Sequence, residues 1–142
     1  MKATETVIAH GHPLVRGTHT TTFEVTTEEK LTVYGDCIIA VGADKGAAAL
    51  SPEFRDVLSR EGAHLTTRLV CRDLCIEVSS AGGQGITLEH PTDLVWRRSP
   101  FCCGRTIATG SDLVARTLPR ELITYLQDGA IIRVEMVAEC PD

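Results

Sequence analysis

Histidines in polar surroundings, and the acids that accompany them, are the side chains in this sequence best suited to chemistry. His12 and His90 each begin a His-Pro pair upstream of a Gly-X-Asp sequence. If the two regions meet in the fold, imidazole nitrogens and carboxylate oxygens would suit zinc or another divalent metal, or proton transfer near neutral pH. The candidate set comprises His12, His19 and His90 as metal ligands, with Asp36, Asp93 and Arg105 completing a ligand site.

The competing interpretation of these histidines is structural. A His-Pro pair also marks a turn, in which the imidazole bonds to nearby backbone. The spacing matches no known metal motif such as His-Glu-x-x-His, which favours the turn.

Two Gly-X-Asp sequences, at residues 42–44 and 110–112, each follow an apolar run. Asp44 and Asp112 are placed to cap the amide groups of a short helical turn. Alternatively, the two helix starts could hold a phosphate or carboxylate, with Lys45 and Arg105 adding positive charge. The aspartates would repel an anion there, so capping is the favoured prediction.

The six cysteines are predicted to be reduced thiols, because no apolar signal segment follows Met1. Most are expected to be small buried hydrophobes rather than zinc ligands. Cys37, directly after Gly35-Asp36, is a candidate nucleophile if His12 or His90 supplies a base. A buried cysteine in a strand is the alternative.

Trp96, Arg97 and Arg98 suggest a second class of function, the stacking and binding of single-stranded RNA on an exposed β face. The net charge of -5 and the aromatic content of 4% count against nucleic acid. Trp96 could equally belong to the core.

An internal repeat relates residues 39–44 (IAVGAD) to residues 107–112 (IATGSD). We therefore predict a single domain over residues 1–142 with an internal duplication, approximately 10–78 and 86–138, whose copies pack about a pseudo-twofold axis.

Each copy is predicted to contain an apolar strand, a Gly-X-Asp turn, one short helix and a long closing strand. The helices begin at Ser51-Pro52 and at Pro119 and end at Gly62 and Gly129. A hairpin turns at 72–73, and further strands are expected at 5–9, 19–26, 86–89 and 93–97. The predicted fold is mainly β (a β-rich α+β class), a sandwich or barrel-like sheet built from two pseudo-symmetric repeats.

Several segments together resemble the archaeal family known as domain of unknown function 371. They are Gly11-His12-Pro13, 18–22, 31–32, 35–39, Ala43-Asp44-Lys45, 90–93 and Arg105-Thr106. The resemblance covers nearly the whole chain and implies an archaeal source and a mainly β fold with two related halves. It implies no activity. Ser111-Asp112-Leu113 departs from the Ala-Asp-Lys common in the family, so only Lys45 remains if that lysine binds a ligand.

The expected function is the binding of a small molecule or metal ion at a polar His/Asp site between the repeats, and the same site could support enzymatic activity. The alternative is a non-enzymatic module that binds RNA or protein. The expected cofactor is at most a divalent metal, and a cytoplasmic location without membrane contact is expected because no apolar run reaches spanning length.

Overall fold

The computed structural model describes residues 1–32 and 34–141. Its elements are β1 (Lys2–His10), β2 (Thr22–Thr26), β3 (Ile38–Ala40), α1 (Pro52–Leu58), β4 (His64–Cys71), β5 (Leu74–Ala81), β6 (Asp93–Arg97), β7 (Thr106–Ala108), α2 (Arg120–Gln127) and β8 (Ile131–Glu139). Single 3₁₀ turns at Ala47–Ala49 and Ala115–Thr117 precede the two helices. The predicted mainly β composition with two short helices is confirmed.

The strands form two four-stranded sheets. The long sheet has the order β1-β8-β4-β5 and is antiparallel throughout. The short sheet has the order β3-β2-β6-β7, with β2 and β6 antiparallel at its centre and β3 and β7 each parallel to its neighbour. No sheet closes on itself in the described residues, so the sandwich, rather than the barrel, describes the fold.

The core lies between the two sheets. Alternate residues of β4 and β8 are buried, as a sheet with one solvated face requires. Trp96 of β6 is stacked on Phe23 of β2 with ring centroids 4.6 Å apart. Its indole Nε1 donates a hydrogen bond to Thr67 Oγ1 of β4 at 3.0 Å, which ties the short sheet to the long one.

Local signals define both helices. The Ser51 hydroxyl accepts a hydrogen bond from the Phe54 N–H at 3.3 Å, and Pro52 occupies the first turn of α1. Pro119 directly precedes α2. Gly62 and Gly129 both have φ near +80° after the helix ends, which favours glycine. The predicted starts of both helices are confirmed, but α1 ends at Leu58, four residues before Gly62, and α2 ends at Gln127, two residues before Gly129.

The predicted capping role of the two aspartates is wrong. Asp44 Oδ1 accepts a hydrogen bond from the Ile8 N–H at 2.9 Å, and the Asp44 N–H donates to the Ile8 carbonyl at 3.0 Å. Asp112 makes the same pair of bonds with Ser79, at 2.9 and 3.0 Å. Each aspartate thus covers the free edge of an outer strand of the long sheet, where unpaired backbone groups would otherwise be available to another chain.

Two predicted strands also differ from the structure. The segment 86–89 forms no strand, although Ile86 and Leu88 are buried, and Leu88 has φ of 52°. The strand predicted from residue 19 begins at Thr22, because the backbone N–H groups of Thr21 and Thr22 bond instead to the His19 imidazole. Burial of alternate residues in the 86–89 loop imitates a strand pattern.

The same order of elements occurs twice, over β1–β4 and over β5–β8. If each strand is exchanged for its equivalent in the other half (β1 for β5, β2 for β6, β3 for β7 and β4 for β8), both sheets keep the same strand order in the reverse direction. On this basis we propose that the chain is a duplication whose boundary lies at the β4–β5 turn, near residues 72–73, instead of between residues 78 and 86.

Candidate functional site

The outward face of the short sheet, on the side away from the long sheet, carries a cluster of ionisable side chains from both halves of the chain. On β2, Phe23 lies in the stack with Trp96, so the alternation of the strand turns Glu24 to the opposite face. Glu24 is nevertheless buried, with 5% of its side chain exposed. Cys37 and Arg105, which directly precede β3 and β7, lie against it.

Arg105 connects two carboxylates from different strands. Its Nη1 atom lies 3.2 Å from Asp93 Oδ2 and 3.6 Å from Glu24 Oε1. The Cys37 thiol donates a long contact of 3.8 Å to the same Glu24 oxygen. Glu24 and Cys37 come from the first half of the chain, and Asp93 and Arg105 come from the second. The cluster therefore lies where the two halves meet, and we call it the Arg105 cluster.

Asp93 is the fixed member of this cluster. Its Oδ1 accepts hydrogen bonds from the Thr26 hydroxyl at 2.8 Å and the Thr92 hydroxyl at 3.0 Å. Burial raises the pKa of Asp93, but these hydroxyls and Arg105 outweigh burial, and the pKa is lowered from its usual range. Asp93 is thus an anion at neutral pH.

Glu24 behaves in the opposite way. Burial and the negative charge of Asp93 raise its pKa, Arg105 and Cys37 offset part of this effect, and the pKa reaches about 7. Glu24 is therefore present in both protonation states near neutral pH, which suits a group that donates or accepts a proton. Two carboxylates in one cluster with their pKa values moved apart form a recognised arrangement for acid–base work.

The candidate nucleophile Cys37 is unsuited to that role. Burial, Glu24 and Asp36 together raise the pKa of its thiol to about 11, so it remains protonated at neutral pH. The alternative interpretation, a partly buried thiol beside a strand, describes it better.

The predicted histidines accept hydrogen bonds from nearby backbone. The Nδ1 atom of His90 accepts from the Asp93 N–H at 3.0 Å, that of His12 from the Leu14 N–H at 3.0 Å, and that of His19 from the Thr22 N–H at 3.2 Å. Each Nδ1 lone pair is thereby committed to a turn. In the described part of the chain no group of three or more His, Cys, Asp or Glu side chains is arranged to hold a metal ion.

His90, Asp93 and Arg105 are the predicted site residues that the structure brings together. His90 Nδ1 lies 4.0 Å from Asp93 Oδ2, on the same side as Arg105. His19 belongs to the opposite end of the β2–β6 pair, since Thr22 pairs with Arg97 and Thr26 with Asp93.

Asp36 and His12 are two further predicted residues. The Asp36 carbonyl accepts the backbone N–H of His19 at 3.3 Å, and the charge of Asp36 contributes to the raised pKa of its neighbour Cys37. His12 follows Gly11, whose α-carbon lies against the backbone of Leu126 in α2.

Lys45 serves the structure of the first half. Its Nζ lies 2.7 Å from Glu5 Oε1 and donates to the Thr6 carbonyl at 2.9 Å. Glu5 is largely buried, and its second oxygen accepts the Ser51 N–H at 2.8 Å. Burial raises the pKa of Glu5, but Lys45 and the backbone N–H groups outweigh it, so the pKa is lowered. In the structure this lysine neutralises a largely buried acid.

Glu24 and Cys103 are the ionisable residues that sequence reasoning missed. Glu24 and Val95 are direct partners across β2 and β6, and each donates its N–H to the residue before the adjacent parallel strand, Cys37 and Arg105. The sequence signal that could have identified Glu24 is that it is a charged residue at the position where the second half of the chain has Val95. Cys103 was not singled out, because Arg97, the cation that contacts its sulfur, belongs to another element, β6.

The predicted stacking of RNA on Trp96 is wrong, since Trp96 is fully buried between Phe23 and Thr67. Two open grooves of about 550 and 270 Å³ occur in the described residues, at the start of β1 and over the outward face of the long sheet. Neither includes the Arg105 cluster, which is a half-covered surface site.

All six cysteines are free thiols. Within residues 1–32 and 34–141, the helices are too short and polar to span a membrane.

Comparison with known proteins agrees with the family resemblance seen in the sequence. Residues 7–139 match the family described as domain of unknown function (DUF371). An uncharacterized protein of Methanocaldococcus jannaschii is 35% identical over 121 residues, which cover 85% of this chain and 89% of that relative. The chain therefore belongs to the DUF371 family.

Proposed function

We propose that the Arg105 cluster binds a small anionic molecule and that Glu24 exchanges a proton with it. The observation that supports this is a buried glutamate with a pKa of about 7 that shares one arginine with an ionised aspartate. Such a pairing lies at the junction of the two halves, where the sequence led us to expect a ligand site.

Arg105 is the residue that would contact the ligand. Its side chain is 42% exposed, and its Nη1 atom faces the two carboxylates. A guanidinium has five N–H donors in a planar fork, which matches the two oxygens of a carboxylate or phosphate. Asp93 would hold the guanidinium in place through its own bonds to Thr26 and Thr92.

Glu24 would respond to the charge of the ligand. An anion bound to Arg105 adds a negative charge near Glu24 and weakens the stabilisation that Arg105 gives to its carboxylate. Both effects raise the pKa further. Binding near pH 7 should therefore take up protons, and the proton on Glu24 would be available to a basic atom of the ligand.

The proposal is tested by isothermal titration calorimetry at pH 7 with acetate, succinate and inorganic phosphate as probes. Proton uptake is obtained by comparing buffers with different ionisation enthalpies. We expect Arg105→Gln to abolish binding, and Glu24→Gln to retain binding while losing proton uptake.

Arg133→Gln is the matched control, because Arg133 is an exposed arginine paired with Glu135 on the other sheet. It should bind like the wild type. Failure of all three anions to bind at millimolar concentration, or binding that Arg105→Gln leaves unchanged, would refute the proposal.

A further inference from the structure

Cys103 lies in a second polar cluster at the β7 side of the same sheet face. Arg97 Nη2 donates to the Cys103 Sγ at 3.4 Å, and Arg97 Nε donates to Thr106 Oγ1 at 2.8 Å. The Cys103 N–H donates to the same hydroxyl at 3.2 Å, and the Thr106 N–H donates back to the Cys103 carbonyl at 3.0 Å. The sulfur is therefore held in a fixed position beside a guanidinium.

Arg97 is itself positioned. Its guanidinium carbon lies 5.0 Å from the centroid of the Phe101 ring, a cation–π contact that holds it from the solvent side. Arg105, two residues further along the chain, is a second cation that lowers the pKa of the Cys103 thiol. Arg97 therefore contacts this half-buried thiol directly, and Arg105 adds a second positive charge.

This environment separates Cys103 from other thiols of the chain. Burial raises the pKa of Cys103, but hydrogen bonds from the Arg105 backbone, Thr106, Arg97 and the Arg105 side chain outweigh burial, and the pKa falls to about 7. The pKa of Cys37 is raised to about 11, and burial also raises the pKa of Cys71.

We propose that Cys103 is a nucleophilic thiolate that forms covalent adducts with small anionic electrophiles, which Arg97 and Arg105 attract through their negative group. In the step, the thiolate sulfur attacks an electrophilic carbon, a carbon–sulfur bond forms, and the leaving group departs with its electron pair. No oxidant or reductant is required. The inference does not depend on the protonation of Glu24.

Iodoacetate and iodoacetamide test this inference, since they differ in charge and lose the same iodide. Alkylation rates at each cysteine are measured by peptide mass spectrometry on the intact folded protein. Cys75, on the exposed face of β5, is the internal reference, and Cys102 is the neighbour in the same loop. The ratio of the two rates at one cysteine cancels differences in access to it.

At pH 7 a thiol of pKa 7 is about half ionised, against roughly 3% for an ordinary cysteine. A thiolate of lower pKa is intrinsically less nucleophilic, so the expected alkylation rate exceeds that of an ordinary cysteine by only about threefold. Attraction by the two arginines should favour iodoacetate by roughly a further fivefold over iodoacetamide, relative to Cys75. The rate at Cys103 should reach half its maximum near pH 7.

Arg97→Gln should remove most of the preference for iodoacetate and raise the pH midpoint, whereas Arg133→Gln should change neither. An iodoacetate preference at Cys103 equal to that at Cys75, a midpoint above pH 8, or an unchanged preference in Arg97→Gln would overturn the inference. Anion binding that fails by calorimetry while this preference persists would refute the proposed function alone.

Discussion

The charge state of Glu24 should govern how the stability of this protein depends on pH. Between pH 4.5 and 7 the folded protein holds the Glu24 proton more tightly than the unfolded chain does, because the folded pKa is raised to about 7. Stability contributed by this residue is therefore complete below about pH 4.5 and decreases as the pH rises towards 7. Glu24→Gln replaces the acid with a neutral side chain of the same shape and removes this dependence.

The magnitude follows from the shift. A change from 4.5 to about 7 corresponds to about 3 kcal/mol, at 1.36 kcal/mol per pKa unit. The free energy of unfolding of Glu24→Gln minus that of the wild type should accordingly increase by about 3 kcal/mol between pH 4.5 and pH 8. The low exposure of Glu24 is the reason why this electrostatic effect is not reduced by solvent screening.

Urea unfolding followed at a series of pH values measures this difference. Titration of groups remote from Glu24 cancels in the subtraction, and Asp93 stays ionised across this pH range because its pKa is lowered. The amide that Glu24→Gln places near Arg105 can also change the free energy of unfolding by an amount that does not depend on pH. Such a change shifts the difference in free energy equally at every pH and leaves its slope against pH unaltered.

Glu77→Gln is the matched control, since Glu77 is an exposed acid paired with Arg68 on the long sheet. Its difference curve should be flat over the same range to within about 0.5 kcal/mol, as expected for a surface pair. Stability curves of Glu24→Gln and wild type that run parallel from pH 4.5 to 8 would show that Glu24 does not have a raised pKa.

Three further predictions concern the core. Among the residues that the structure describes, the buried Ser80 hydroxyl has no hydrogen-bond partner, so Ser80→Ala should raise the free energy of unfolding by about 1 kcal/mol in urea melts, and a decrease would contradict this. Lys45→Leu should lower the free energy of unfolding by about 3 kcal/mol, because the buried Glu5 carboxylate loses its cation. Adding Glu5→Ile should recover most of that free energy. If the effects of the two substitutions simply add in the double mutant, the residues are not energetically paired. Trp96 is the single tryptophan, so its fluorescence emission should be blue-shifted in the folded protein. Neither acrylamide nor single-stranded RNA should quench this emission until the protein unfolds. Strong quenching in the native state would show that Trp96 lies at the surface.

The loops explain where reasoning from sequence failed. Ile86 and Leu88 alternate as strand residues do, yet they fill the core from a loop without a partner strand. Asp44 has the residue type and the position of a helix cap. It bonds instead to the free edge of β1, where Ile8 provides both a backbone N–H donor and a carbonyl acceptor. Periodicity reports burial, and a polar side chain bonds whichever backbone group is closest in space, so neither feature identifies its partner.

The sequence by itself determined the features that depend on neighbouring residues: the starts of both helices, the β4–β5 turn, the alternation of the long strands and the family. The tertiary structure alone decided which ionisable groups meet. Glu24, Asp93 and Arg105 are far apart in the chain and come together only because β2 and β6 pair at the centre of the short sheet. The pKa values of Glu24 and Cys103 depend on burial and on charges from other strands, which distance along the chain does not encode.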